Sequence, residues 1–253
     1  MSALKVLIVD DEAPARNRLR ALLADCADPS LEIVGEAAQG REALEKCQIA
    51  YPDLILLDIR MPEMDGIELA QHLMKLPQPP AVIFTTAYDD YALKAFEVNA
   101  VDYLLKPIRL ERLQSALSRA RQIKPIPARA LLELAHKPRS NLSIQEAGRV
   151  HLIPLDEIVY LRAELKYITV RTDTREYLLD ESLTQLEQEF ADVFVRIHRN
   201  CLVAKAFIAG FERVSEGGES RWLTLLKGLQ EKLPVSRRQQ NIVREFGKTS
   251  VRR

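Results

Sequence analysis

Four charged side chains stand where hydrophobic runs stop. Asp10 and Asp11 follow KVLIV, Asp58 follows DLILL, and Lys106 follows DYLL. Three carboxylates and one ammonium gathered at strand ends would make a compact, highly charged pocket. Such a pocket suits a hard divalent cation and a phosphoryl group. A lone strand-end aspartate most often caps a helix or closes a turn. Four such residues together are harder to dismiss, because taking charges out of water without a function is costly.

The elements that would gather them can be read from the pattern. Five short apolar strands are expected near 5–9, 32–37, 54–57, 81–85 and 102–105. Helical periodicity intervenes near 13–25, 40–50, 66–76, 90–98 and 109–122. Pro14 fits the first turn of the first helix, and Asp65-Gly66 marks the turn into the third. Strictly alternating strands and helices imply a parallel, doubly wound sheet, whose function gathers at the carboxyl ends of its strands.

In that frame residues 1–124 resemble the receiver domain of two-component response regulators, a flavodoxin-like fold with a five-stranded sheet. The motifs are the Asp10-Asp11 pair, DLILLDIRMPEMDG, VIFTTA and DYLLKP, in that order. The resemblance implies that Asp58 is the phosphoacceptor. It implies Mg2+ held by Asp11, Asp58 and the backbone carbonyl of Arg60, with Asp10 in the second acidic position. It makes Thr86 the switch hydroxyl, Tyr103 the switch aromatic and Lys106-Pro107 a pair joined by a cis bond. The chemistry is consistent with the residue types. A carboxylate is a weak nucleophile, and cations offset its repulsion from an anionic phosphoryl donor.

Composition favours two domains. The chain has 253 residues, 47% hydrophobic and 28% charged, enough for two cores. Lys5 leads straight into a strand, so no signal segment is expected, and no apolar run is long enough to span a membrane. Cys26, Cys47 and Cys201 lack metal-ligand spacing, which points to packing roles in a reducing cytoplasm. The zero net charge hides an asymmetry. Residues 1–124 carry 15 Lys+Arg against 19 Asp+Glu, and residues 125–253 carry 21 against 17. The basic half is compatible with a nucleic-acid surface.

Pro125, Pro127 and Pro138 mark a linker over 125–140, with room for a short helix at 129–136. Beyond it the period changes to that of strands. A hairpin turning at Gly148 precedes IVYLRA, YITVRT and EYLLD. One helix, LTQLEQEF, follows with Ser182 as its N-cap, and then VFVRIHRNCLVA, a hairpin turning at EGGES, the strand LPVS and a helical tail RRQQNIVREF. Residues 141–253 are therefore expected to form a mostly β module.

This module resembles the LytTR DNA-binding domain through IVYLRAELKYITV, FVRIHRNCLV and LPVSRR, and the whole chain resembles the LytR/AlgR-like regulators. The resemblance implies DNA-facing residues Lys166 and Tyr167, Arg199 and Asn200, and Arg237 and Arg238. Arg can bind guanine bidentately and Asn can bind adenine, while Lys suits phosphates. The module contains no Ser-His-Asp pattern, metal-ligand cluster or Gly-rich phosphate loop, so no enzyme is expected. The expected protein is a cytoplasmic transcriptional regulator. A sensor histidine kinase phosphorylates it, and it binds promoter DNA as a homodimer. Phosphorylation-independent DNA binding, or action through protein contacts, are the rival readings.

Overall fold

The structure is a computed structural model, and it describes residues 3–26, 28, 30–87, 102–121, 138–216 and 219–249. The helix expected at 90–98 and the one expected at 129–136 lie outside the described residues, as does most of the expected linker. Two compact units result: residues 1–140 with 145–151, and residues 141–144 with 152–253.

The first unit runs β1 (Leu4–Val9), α1 (Ala13–Asp25), β2 (Leu31–Ala37), α2 (Gly40–Ala50), β3 (Leu54–Asp58), α3 (Gly66–Leu73), β4 (Ala81–Thr86), β5 (Asp102–Leu105) and α4 (Leu110–Ala120). Its sheet is parallel in the order β2-β1-β3-β4-β5. Val6 to Val9 and Leu54 to Leu57 are all fully buried, which is why these strands read as unbroken apolar runs. Val6, Ile8, Leu54, Leu56 and Ile83 pack with Leu19, Leu22 and Leu23 of α1 and Leu113, Ala116 and Leu117 of α4 on one face. Pro14 sits in the first turn of α1, as the sequence predicts. Helix α3 stops at Leu73, short of the expected 76: the chain tightens into i→i−3 turns, with the Lys75 N–H on the His72 carbonyl at 3.1 Å and the Leu76 N–H on the Leu73 carbonyl at 3.0 Å, before Pro77 disfavours helical backbone at Leu76.

From residue 141 the chain runs β6 (Asn141–Glu146) and β7 (Arg149–Pro154), a hairpin whose tip residues 145–151 group with the first unit, and then, in the second unit, β8 (Ile158–Glu164), β9 (Tyr167–Thr172), β10 (Glu176–Leu179), α5 (Leu183–Glu189), β11 (Phe194–His198), β12 (Cys201–Ala204), β13 (Ile208–Glu216), β14 (Glu219–Leu226), β15 (Lys232–Val235) and α6 (Asn241–Thr249). The β6–β7 turn takes positive φ at both Ala147 and Gly148, a two-residue hairpin geometry. An antiparallel sheet runs β10-β9-β8-β12-β11, and a second runs β13-β14-β15.

Strand β8 is buried on both faces. Ile158 and Leu161 pack with α5 and Phe190, whereas Val159 and Tyr160 pack with β15 and α6. A bulge between Ile158 and Tyr160 breaks the simple alternation and lets neighbours in sequence share a face. Ser182 holds the N-cap position of α5, but its hydroxyl makes no capping bond. The expected helical tail is split into a 3-10 turn at Arg237–Gln239 and α6 from Asn241.

Candidate functional site

Parallel pairing of β1, β3, β4 and β5 carries Asp10, Asp58, Thr86 and Lys106 to one end of the first sheet. Asp10 is fully buried and Asp58 is 4% exposed. The Lys106 ammonium bridges them, 2.8 Å from Asp10 Oδ2 and 2.8 Å from Asp58 Oδ1. The other Asp10 oxygen accepts the Glu12 N–H at 3.0 Å. Asp11 and Arg60 are exposed beside this pair, and the Arg60 backbone N–H bonds the Asp58 carboxylate. Lys106-Pro107 is cis, and the Lys106 N–H donates to the Thr86 carbonyl at 2.7 Å. Thr86 and Tyr103 are both buried.

Burial dominates the electrostatics of the site. Burial pushes the Asp58 carboxyl up to about 6, although Lys106 pulls it down. Burial also works to lower the Lys106 ammonium, but the two carboxylates together hold it above its ordinary value. Lys106 faces the Asp10 and Asp58 carboxylates, with Asp11 next in sequence; the Arg16 guanidinium bonds the Asp10 carbonyl at 2.8 Å and the Asp11 carbonyl at 3.3 Å but pairs with Glu36, so the aspartates remain in formal excess over cations. Oxygen donors with that excess fit a hard divalent cation that retains several waters. Among the described residues, no three His, Cys, Asp or Glu side chains already converge as a ligand set.

The loop between β3 and α3 is shaped by a residue whose importance the sequence only half reveals. Asp65 caps α3, accepting the N–H groups of Ile67 at 3.0 Å and Glu68 at 2.8 Å. Gly66 then lies against the Asp58 backbone, so close that an added Cβ would stand 2.0 Å from the Asp58 carbonyl oxygen. The Asp-Gly pair signals a turn, but this approach to a residue eight positions earlier has no local signature.

In the second unit, the three expected DNA-facing segments meet at one end of the antiparallel sheet. Leu165-Lys166 is the two-residue turn between β8 and β9, and Arg199-Asn200 is the two-residue turn between β11 and β12. Because β8 pairs with β12 at Arg162 and Cys201, the two turns adjoin. The Ser236 N–H donates to the Ile197 carbonyl at 2.8 Å, which docks the Arg237–Gln239 turn beside them. Lys166, Tyr167, Arg199, Arg237 and Arg238 are exposed.

Asn200, expected to face DNA, has both amide atoms engaged inside the protein. Its Nδ2 donates to the Ala163 carbonyl at 3.3 Å, and its Oδ1 accepts from His198 Nδ1. The Ala163 N–H donates to the Asn200 carbonyl at 2.7 Å, so side chain and backbone together staple one turn to the other. Arg196, which sequence reasoning missed, donates from Nη1 to the Arg199 carbonyl at 2.7 Å and from Nε to Glu187 at 2.8 Å. Tyr160 and Arg162 both donate to Glu231, each at 2.9 Å, and tie the loop before β15 to β8. A charge in the middle of an apolar strand is the one signal that could have flagged Arg196 and Arg162.

A receiver-type α/β unit with a strand-end acid cluster, followed by a β unit with clustered basic turns, defines a signalling regulator. The family comparisons agree. Residues 6–118 match the response regulator receiver domain, and residues 148–248 match the LytTr DNA-binding domain. The chain is 44% identical over 239 residues to the positive alginate biosynthesis regulatory protein of Pseudomonas aeruginosa, covering 93% of this chain and 95% of that one. It is 34% identical over 238 residues to the sensory transduction protein LytT of Bacillus subtilis, covering 92% and 95%. A solved response regulatory domain of protein mrkE from Klebsiella pneumoniae is 36% identical, covering 47% of this chain and 95% of that chain with a TM-score of 0.42.

The chain belongs to the LytTR-family response regulators: it is a two-component response regulator with a DNA-binding LytTR domain, regulating transcription. No helix among the described residues is long and apolar enough to cross a membrane.

The staple carries a prediction. Asn200→Ala is expected to weaken DNA binding about five- to tenfold, to a similar extent on every sequence, at a cost of about 1 kcal/mol in stability. The slope of affinity against salt should not change, because no phosphate-binding cation is lost. Titration of several DNA sequences checks this; a loss confined to one base position would make Asn200 a base reader instead.

Proposed function

We propose that Asp58 accepts a phosphoryl group and that this controls dimerisation and sequence-specific DNA binding. The observation that carries the reading is the Lys106 ammonium bridging buried Asp10 and Asp58 at the strand ends. An Asp58 oxygen attacks phosphorus, forming an acyl phosphate as the bond to the donor's leaving atom breaks. The donor is a sensor histidine kinase or a small phosphodonor.

Asp10, Asp11, Asp58 and the Arg60 carbonyl are the groups that would hold Mg2+, whose chemistry is to neutralise phosphoryl oxygens during transfer. Lys106 adds a second positive charge on a flexible stem. Thr86 donates its hydroxyl to a phosphoryl oxygen, and Tyr103, already buried, repacks as the Thr86 loop moves. This is a two-state element biased by one covalent charge. The rearrangement alters the face formed by the strand Asp102–Leu105 and the helix expected at 90–98. Pairing there makes a homodimer that brings two β units onto paired promoter sites in the cytoplasm, raising effective affinity without a new DNA contact. By domain, residues 1–124 receive the signal, 125–140 link and 141–253 bind DNA.

Convergence of the turns supports the DNA assignments. Arg199 and Arg237 read bases, whereas Lys166, Tyr167 and Arg238 engage the backbone, with Asn200 positioning Arg199. Arg199→Ala and Arg237→Ala should each reduce preference for the selected site by about tenfold or more. Lys166→Ala should weaken all sequences alike and lower the salt slope by about one.

The test of the whole reading is selection of bound fragments from genomic DNA, with and without Mg2+ and a phosphodonor, using Asp58→Ala as control. One paired motif, strengthened by donor only in wild type, is expected. Enrichment that ignores both donor and Asp58 would reduce the receiver to a dimerisation platform. Absence of enrichment would move the function to protein contacts.

A further inference from the structure

Leu165 is anomalous twice over. It is the first residue of the β8–β9 turn and takes a positive φ of 53°, a conformation that two-residue hairpins ordinarily give to glycine. A leucine is disfavoured there because its Cβ crowds the backbone. Its relative exposure is 111%, so the side chain gains no packing within the unit to offset that strain. Strain of this kind, kept without a structural return, gathers at sites that meet a ligand.

The surroundings indicate what the ligand is. Leu165 sits at a hairpin tip, followed by exposed Lys166 and Tyr167. The adjoining turn presents exposed Arg199, and the docked 3-10 turn presents Arg237 and Arg238. A single leucine rimmed by cations is a poor core for a protein interface, which needs about 800 Å² of each partner. It is well suited to a polyanion that displays isolated methyl groups. In the major groove of DNA, thymine alone among the bases carries one, on C5.

We propose that Leu165 is a specificity-determining residue that selects thymine by apolar contact with its C5 methyl at the position reached by the β8–β9 turn. The proposal rests on the DNA-binding reading above and adds to it a base that no hydrogen-bonding side chain specifies. It also explains why a glycine position holds leucine: the methyl contact requires a side chain that reaches beyond the backbone.

The experiment uses the full chain and the fragment it selects. Each thymine is replaced in turn by uracil, which removes only the methyl, and binding of wild type, Leu165→Ala and Leu165→Gly is measured by fluorescence anisotropy. Wild type is expected to lose about fourfold at one or two thymines, the equivalent of about 0.8 kcal/mol for one buried methyl. Leu165→Ala should show no further loss at those positions while remaining sensitive to the other bases. Leu165→Gly should bind like Leu165→Ala yet melt about 2–4 °C higher, because the left-handed strain is gone. Stability and selectivity moving in opposite directions is an outcome that a purely structural residue would not produce. The proposal is overturned if Leu165→Ala keeps the uracil penalty, or if wild type binds selectively but ignores every thymine methyl. If wild type selects no DNA at all, the broader DNA reading fails and this assignment falls with it.

Discussion

Asp58→Asn is expected to abolish phosphoryl incorporation and, in the same molecule, to stabilise the receiver unit at neutral pH. The loss follows from the missing nucleophilic oxygen. The gain follows from burial, which raises the Asp58 carboxyl to about 6 even with Lys106 at 2.8 Å. A folded-state value above the unfolded one, about 3.9, means that the folded state holds its proton more tightly. Stability from this group is therefore fully present below pH 4 and is lost as pH rises through 6. A shift of about two units corresponds to roughly 3 kcal/mol, and an amide gives back part of that by losing the Lys106 attraction. We expect Asp58→Asn to exceed wild type by about 1–2 kcal/mol at pH 7.5 in chelator.

The gap should shrink toward zero near pH 4. Denaturant melts of both proteins from pH 4 to 8, with EDTA throughout, measure it directly. An Asn variant less stable than wild type at every pH would show that Asp58 is a structural ion-pair member. Burial disfavours the charge of the Asp58 carboxylate, and Lys106 offsets part of that cost.

Gly66→Ala is expected to damage the same site through the backbone. The added methyl carbon would lie 2.0 Å from the Asp58 oxygen, 2.9 Å from its carbonyl carbon and 3.1 Å from Ile59 Cα. No side chain can rotate away to relieve these contacts, so the β3–α3 loop must move. The Gly66 N–H bond to the Ile59 carbonyl, now 2.9 Å, would move with it. A cost of about 3–5 kcal/mol follows for an overpacked, backbone-confined position. Against a typical domain stability of about 5–15 kcal/mol, that is a large fraction. Calorimetry should show a lowered receiver transition, and phosphoryl uptake should slow because Asp58 is displaced. An unchanged melting profile would mean that the loop yields cheaply. By contrast, the three atoms nearest an added methyl at Gly40 all belong to the Met64 side chain, not to backbone, and Gly40→Ala should cost less.

Much of the fold was legible because buried parallel strands must be apolar on both faces. Runs such as VLIV and LILL cannot be mistaken for half-exposed strands, and their charged ends mark where the sheet stops. Helix boundaries in the receiver were set by Pro14 and Asp65, whose backbone effects are local. The exception is α3, which ends at Leu73, four residues before Pro77, where periodicity alone carries it to 76. In the β unit, the succession of strands along the chain, the helix α5 between them and the helical tail followed from alternation, periodicity and turn residues, but the bulge in β8 did not. A bulge answers to packing on two faces at once, and sequence order does not record that.

The sequence by itself determined which residues carry charge at strand ends and hairpin turns, because residue type and local period are properties of short segments. Tertiary structure decided which of them meet. Lys106 reaches Asp10 across 96 positions, and Gly66 presses on Asp58 across a loop. The half-buried Asn200 amide bonds Ala163 and His198, which lie 37 and two positions away in sequence. Leu165, unremarked in the sequence, stands fully exposed at a strained turn. Each of these depends on distance through space and on access to water, and both exist only once the sheets have formed.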